Sequence, residues 1–125
     1  MKDQLFSVEN KNIIVTGSSG LLGSAYSRAL LERGANMALI DINTRPSENI
    51  KKEFQNSGKK IAVYKCDLSR PSNIKTTFRK MAKDFHTIDV LINNAAFTSR
   101  QTFHIKNFKD YEKHPLSMHR TNPQL

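Results

Sequence analysis

The chain has 125 residues, 38% of them hydrophobic and 25% charged, which suits one globular domain with a modest core. No run approaches the roughly 20 consecutive apolar residues of a membrane-spanning helix, and the single cysteine, Cys66, excludes an internal disulfide. The formal net charge of +9 comes from residues 51–125, with fifteen basic and six acidic side chains against five of each in residues 1–50; no aromatic-interleaved basic motif, zinc spacing or recognition-helix pattern accompanies it, so it reads as solvated helix faces.

Residues 12–16 open the regular pattern. Ile13, Ile14 and Val15 are apolar and β-branched throughout, as in a parallel strand covered on both faces. A turn with Gly17, Gly20 and Gly23 follows. Leu22, Ala25, Tyr26, Ala29 and Leu30 then recur at helical spacing, which predicts a helix with that face buried and Ser24, Arg28 and Glu32 facing away. Gly34 is placed to close the helix as a left-handed cap. Met37, Ala38, Leu39 and Ile40 form a second apolar strand that ends at Asp41, completing a βαβ unit.

A thinner helix is expected from about residue 46 to 55, with Pro46 in its first turn and Ile50 and Phe54 as its apolar face. Residues 61–64 read as the third strand, running into Cys66, Asp67 and Leu68. Ser69 is the expected N-cap of the next helix, with Pro71 just inside it and Ile74, Phe78, Met81, Ala82 and Phe85 as its apolar stripe. Residues 88–92 are the fourth strand, closing on Asn93, Asn94, Ala95 and Ala96. The alternation predicts right-handed crossovers and a parallel sheet. Beyond it, residues 105–112 carry a short helical pattern that Pro115 breaks, no fifth strand is expected, and the last residues have no periodicity.

The chemistry gathers at the strand ends. Strand, glycine turn and helix in that order suit a dinucleotide phosphate: small residues let backbone N–H groups approach, and the helix N-terminus adds positive potential. Asp41, eighteen residues beyond Gly23, stands where a carboxylate accepts hydrogen bonds from the adenosine ribose, and its charge repels the extra phosphate of NADP, favouring NAD. Asp67 would reach the adenine amino edge. Asn93 and Asn94 end the fourth strand, where amides can stitch strand ends together and contact the second ribose. Cys66 reads as a packed small side chain. His86, His104, His114 and His119 lack metal-ligand spacing. Phe97, Phe103 and Phe108 read as packing residues.

With these residues in view, the chain resembles the N-terminal half of a short-chain dehydrogenase/reductase, from about residue 6 to residue 118. Thr16-Gly17-Ser18-Ser19-Gly20-Leu21-Leu22-Gly23 is similar to the family's cofactor turn and Asp67-Leu68 to its acidic dipeptide. Asn93-Asn94-Ala95-Ala96 resembles its Asn-Asn-Ala-Gly segment, with Ala96 in place of glycine. The glycine spacing is that of the family's extended members and the Asn-Asn-Ala signal that of its classical ones, which leaves sugar-nucleotide chemistry as a runner-up to simple alcohol or ketone chemistry.

The resemblance implies a Rossmann-like α/β sheet in the order 3-2-1-4, the first half of a doubly wound domain. It implies cofactor contacts from Gly17, Ser19, Gly20, Leu22, Gly23, Asp41, Asp67, Leu68, Asn94, Ala95 and Ala96. It also implies hydride transfer between nicotinamide and an alcohol or carbonyl carbon, with a Tyr-x-x-x-Lys pair exchanging the proton. That pair is absent here: Tyr26, Tyr64 and Tyr111 are followed four residues later by Leu30, Leu68 and Pro115. Asn122, with Pro123 directly after it, is a poor candidate for the family's proton-relay asparagine.

The expectation is therefore a partial nucleotide-binding domain over residues 1–104 and a poorly ordered or aberrant tail over 105–125. The chain is read as a product truncated near Met118, with no catalytic residue of its own, no metal, and an alcohol or carbonyl substrate only if the missing half is supplied. The alternative is a non-catalytic module that holds NAD or an adenine nucleotide, or a partner through its open edge. Nucleic acid is a distant third. The first residues carry an acid and no long apolar segment, which reads as no secretory signal, so the cytoplasm is the expected compartment and a membrane is not an expected partner. Val90, Leu91 and Ile92 are expected to lie on an exposed strand edge that invites self-association.

Overall fold

In a computed structural model the structure describes residues 4–96. The readings made for residues 97–125, including the helix at 105–112, the boundary at 104/105, Asn122 and the three phenylalanines, lie outside the described residues. A short 3-10 helix at Gln4–Phe6 precedes β1 (Asn12–Thr16), α1 (Leu21–Glu32), β2 (Asn36–Asp41), α2 (Arg45–Glu53), β3 (Ile61–Lys65), α3 (Pro71–Phe85) and β4 (Val90–Ile92).

Among the described residues the four strands form one parallel sheet in the order β3-β2-β1-β4. The chain winds outward from β1 to β2 to β3, then returns to place β4 on the other side of β1. That reversal makes the carboxyl ends of β1 and β4 a topological switch point, the position at which open α/β sheets hold ligands. The amino ends are locked by asparagines. Asn36 Nδ2 donates to Asn12 Oδ1 at 3.0 Å, and the Asn12 N–H donates to Asp89 Oδ2 at 2.8 Å. These bonds hold β1 in register with both neighbours.

Side chains alternate between two cores, as the pleat requires. Ile13, Val15, Met37, Leu39 and Ile61 point to one face with Leu31 and Ile50; Ile14, Ala38, Ile40 and Tyr64 point to the other with Cys66, Met81 and Phe85. Each fully buried aliphatic side chain contributes about 1.5–3 kcal/mol. Gly34 has φ +89°, the left-handed cap expected after α1.

Three local expectations change. In α1 the buried positions are Gly23, Ser27 and Leu31, whereas Leu22 and Tyr26 are exposed. Close approach to the strands selects small residues, and Ser27 satisfies its hydroxyl by donating to the Gly23 carbonyl at 2.7 Å. In α3 the N-cap is Arg70 rather than Ser69, and the buried residues are Thr77, Met81 and Phe85; Phe78 and Ala82 face outward. The fourth strand begins at Val90 rather than residue 88; Val90 and Leu91 are exposed as expected for an edge, whereas Ile92 is half-buried against the core.

Candidate functional site

The turn after β1 is built by close packing of backbone. Gly17 has φ +67°, a conformation that favours glycine, and a Cβ there would also stand 2.9 Å from the Ala95 Cα. A Cβ at Gly23 would overlap the Gly17 carbonyl and lie 2.9 Å from Asn94 Nδ2. These two glycines let α1 and the segment after β4 close onto the turn. Gly20 differs from both. It is the N-cap of α1 with φ −77°, and an added Cβ would meet the Gly17 carbonyl oxygen at an ordinary 3.4 Å. Neither backbone strain nor packing demands glycine there.

Across the switch point, Thr16 Oγ1 accepts the N–H groups of Asn94 and Ala95, each at 3.0 Å. Asn94 Nδ2 donates to the Gly17 carbonyl at 3.3 Å. The amide thus stitches the end of β4 to the glycine turn, as anticipated for this asparagine.

Asp41 closes the other side. Its Oδ2 accepts the Ser19 N–H and its Oδ1 the Asn43 N–H, both at 3.0 Å. The carboxylate therefore stands directly beside the glycine turn, and each oxygen keeps acceptor capacity for a further donor. Behind it, Ser47 Oγ lies 2.7 Å from both Ser18 Oγ and Ser19 Oγ, and the Ser47 N–H donates to Ser19 Oγ at 3.3 Å. Ser18 and Ser47 are fully buried while Ser19 is partly open.

At the end of β3, Asp67 Oδ1 accepts the Ser69 hydroxyl at 2.6 Å and the Ser69 N–H at 3.0 Å. These bonds hold the Asp67 carboxyl below the usual carboxylate range, with Arg70 adding to the effect. Arg70 Nε stands 3.5 Å from Asp67 Oδ2. Leu22, Leu68, Ala95 and Ala96 are each exposed.

The expected site residues fall into two groups. Gly17, Ser19, Gly23, Asp41, Asn94 and Ala95 are tied together by the contacts above. Gly20 joins them through its N–H, which donates to the Gly17 carbonyl at 3.1 Å. The Asp67 carboxylate makes its bonds within its own turn, and no described side-chain bond ties Leu22, Leu68 or Ala96 to that cluster. Sequence reasoning missed two contributors. Thr16 carries a signal of its own beyond the turn motif, a hydroxyl at the last position of a central strand. Ser47 gave no signal, because its partners lie 28 and 29 residues away.

The comparisons with known proteins point the same way. The family model for short chain dehydrogenases matches residues 11–116. The chain belongs to the short-chain dehydrogenase family. It is similar to sorbose reductase from Candida albicans, with 34% identity over 113 residues covering 87% of this chain and 40% of that protein. It resembles the crystal structure of NAD+-bound xylitol dehydrogenase at TM-score 0.68 and 31% identity, covering 73% of this chain and 35% of that one. A metagenomic short-chain oxidoreductase in complex with NADP gives TM-score 0.68 and 27% identity, covering 74% of this chain and 42% of that one. The chain thus spans about two-fifths or less of the length of these relatives. Members of the family with this Rossmann fold hold NAD in one neighbour and NADP in the other.

The residues present fit such a dinucleotide. Gly20 keeps the approach to the N-terminus of α1 free of a side chain, and α1 has no side-chain cap. The N–H groups of a first helical turn have no partner within the helix and suit an anionic oxygen.

Proposed function

We propose that this chain carries the nucleotide-holding part of an oxidoreductase that moves a hydride between a nicotinamide cofactor and an alcohol or carbonyl carbon. The observation that supports it most is Gly20, the turn glycine that no internal contact requires, beside the Asp41 carboxylate. In this reading the turn and the first N–H groups of α1 hold the pyrophosphate, Asp41 accepts the adenosine ribose hydroxyls, and Asp67 with Leu68 borders the adenine. Asn94, Ala95 and Ala96 border the second ribose. The Asp41 charge opposes a ribose phosphate, so NAD is preferred over NADP. Bound here, the cofactor supplies or accepts the hydride; these residues bind and orient it.

Proton transfer lies outside these residues, since no tyrosine is followed four positions later by lysine. The chain by itself is therefore proposed to bind without turnover, which is the behaviour of a non-catalytic nucleotide module. The names of two similar proteins, sorbose reductase and xylitol dehydrogenase, favour a small alcohol or ketone over a sugar nucleotide as the substrate class of the complete site. The cytoplasm is the proposed compartment; among the described residues no helix is long and apolar enough to cross a membrane. The exposed Val90 and Leu91 edge is proposed as the surface for self-association.

Titration of the purified chain with NAD+ and NADP+, followed by an assay for reduced nicotinamide with xylitol as substrate, tests the reading. Saturable binding that favours NAD+, with no turnover, is expected. Equal or tighter NADP+ binding would overturn the role of Asp41, and turnover would overturn the assignment of proton transfer elsewhere.

A further inference from the structure

We propose that Ser47, on α2 and outside the glycine turn, is a positioning residue that aims the Ser19 hydroxyl outward as a hydrogen-bond donor to an anionic oxygen of a bound nucleotide. The inference rests on the nucleotide reading above. It follows from counting protons along a chain of three hydroxyls, two of them fully buried.

Ser18 is fully buried, and among the described residues Ser47 Oγ, at 2.7 Å, is the hydrogen-bond partner of its hydroxyl. A buried hydroxyl proton left unmatched is costly, so Ser18 donates to Ser47. Ser47 has one hydroxyl proton, and the remaining partner is Ser19 Oγ at 2.7 Å. Ser47 therefore donates to Ser19. The Ser47 N–H approaches the same Ser19 oxygen at 3.3 Å, so Ser19 receives two donors from one residue. Both acceptor positions of the Ser19 oxygen are then filled, and its own proton must point away from Ser47, towards the open side of the turn.

The arrangement has a chemical consequence. Ser19 can offer a proton but has no lone pair left, so it suits a phosphate oxygen and not a ribose hydroxyl seeking an acceptor. Asp41, bound to the Ser19 N–H at 3.0 Å, has the opposite character. One residue thus joins a donor and an acceptor side by side, matched to the two chemistries of a nucleoside phosphate. The first turn of α2 sets the polarity of this pair through a residue that is itself fully buried.

The test is a double-mutant cycle read by calorimetric titration of the full chain with NAD+. Ser47→Ala and Ser19→Ala should each weaken binding about tenfold, the scale of a hydrogen bond to a charged group. The double variant should bind no more weakly than Ser19→Ala, because Ser47 acts through Ser19. Adenosine, which has no phosphate, should bind Ser47→Ala as it binds the unaltered chain. A Ser47→Ala affinity equal to that of the unaltered chain, losses that multiply in the double variant, or an equal loss for adenosine would each overturn the relay. Absence of NAD+ binding to the unaltered chain would instead overturn the nucleotide reading on which it rests. Should Ser47→Ala fail to fold, Ser18→Ala carries the test: it leaves Ser47 bonded to Ser19 but removes the bias, so a loss of about threefold supports the relay and no loss overturns it.

Discussion

Two aspartates follow one another along the carboxyl end of this sheet, one closing β2 and one two residues beyond β3, and they are held in opposite ways. Asp41, the last residue of β2, is gripped from a distance: its donors include the backbone of Ser19, 22 residues earlier in the chain. Asp67, after β3, is held by Ser69 and Arg70, within three residues of itself. The first carboxylate is part of a tertiary arrangement that joins β2, the glycine turn and α2. The second is the pivot of a local turn into α3. The same residue type beside two neighbouring strand ends therefore carries different weight: disturbing Asp41 should be felt across the site, disturbing Asp67 mainly in its own loop.

The sharpest way to break the tertiary side of this comparison is Gly23→Ala, whose Cβ would overlap the Gly17 carbonyl. Because the obstacle is backbone, no side-chain adjustment relieves it. A destabilisation of about 3 kcal/mol or more is expected in denaturant unfolding. Asp41→Ala should cost about 1–3 kcal/mol by leaving the Ser19 and Asn43 N–H groups without their acceptor, and it should also reduce NAD+ affinity in the same titration.

The β3 end sharpens the comparison with smaller effects. The Tyr64 hydroxyl donates to Asp84 on α3. Burial, reinforced by that bond and by the Asp84 charge, pushes the tyrosine well above its usual value of 10.0. The unfolded chain then loses the proton first as pH rises, so stability is retained below pH 10 and declines above it. Tyr64→Phe should cost about 1 kcal/mol at neutral pH and flatten that alkaline decline, as read by melts across the pH range. Asp67→Asn should have the smallest effect. Its lowered carboxyl value means that its contribution is present above the ordinary 3.8 and is lost as pH falls below it. The variant should therefore lower the neutral melting temperature slightly and match the unaltered chain at acid pH, which flattens the acid decline.

Much of this arrangement was legible in the sequence, for identifiable reasons. Continuous apolar runs, β-branched in β1, marked β1 and β2, and the alternation of strands and helices implied the parallel order that is observed. The glycine turn, Asp41 and Asn94 were readable because each sits at a fixed offset from a strand end. The face of α1 was not. Its apolar residues pointed to Leu22 and Tyr26, yet the helix lies so close to the sheet that volume overrides hydropathy and Gly23 and Ser27 are buried. The N-cap of α3 was misplaced because Ser69 spends its hydroxyl on Asp67 instead of the helix. Ser47 was invisible for a third reason: a hydroxyl relay between elements has no local period or spacing.

The most direct test of the nucleotide site is a comparison of Gly20→Ala with the unaltered chain, by thermal melt and by NAD+ titration. Gly20 has an ordinary φ of −77° and room for a methyl group, so the change at this N-cap should cost less than about 1 kcal/mol. NAD+ affinity should nevertheless fall at least about tenfold, because the methyl group would occupy the approach to the first N–H groups of α1. A stable Gly20→Ala variant that binds NAD+ as well as the unaltered chain would contradict the account.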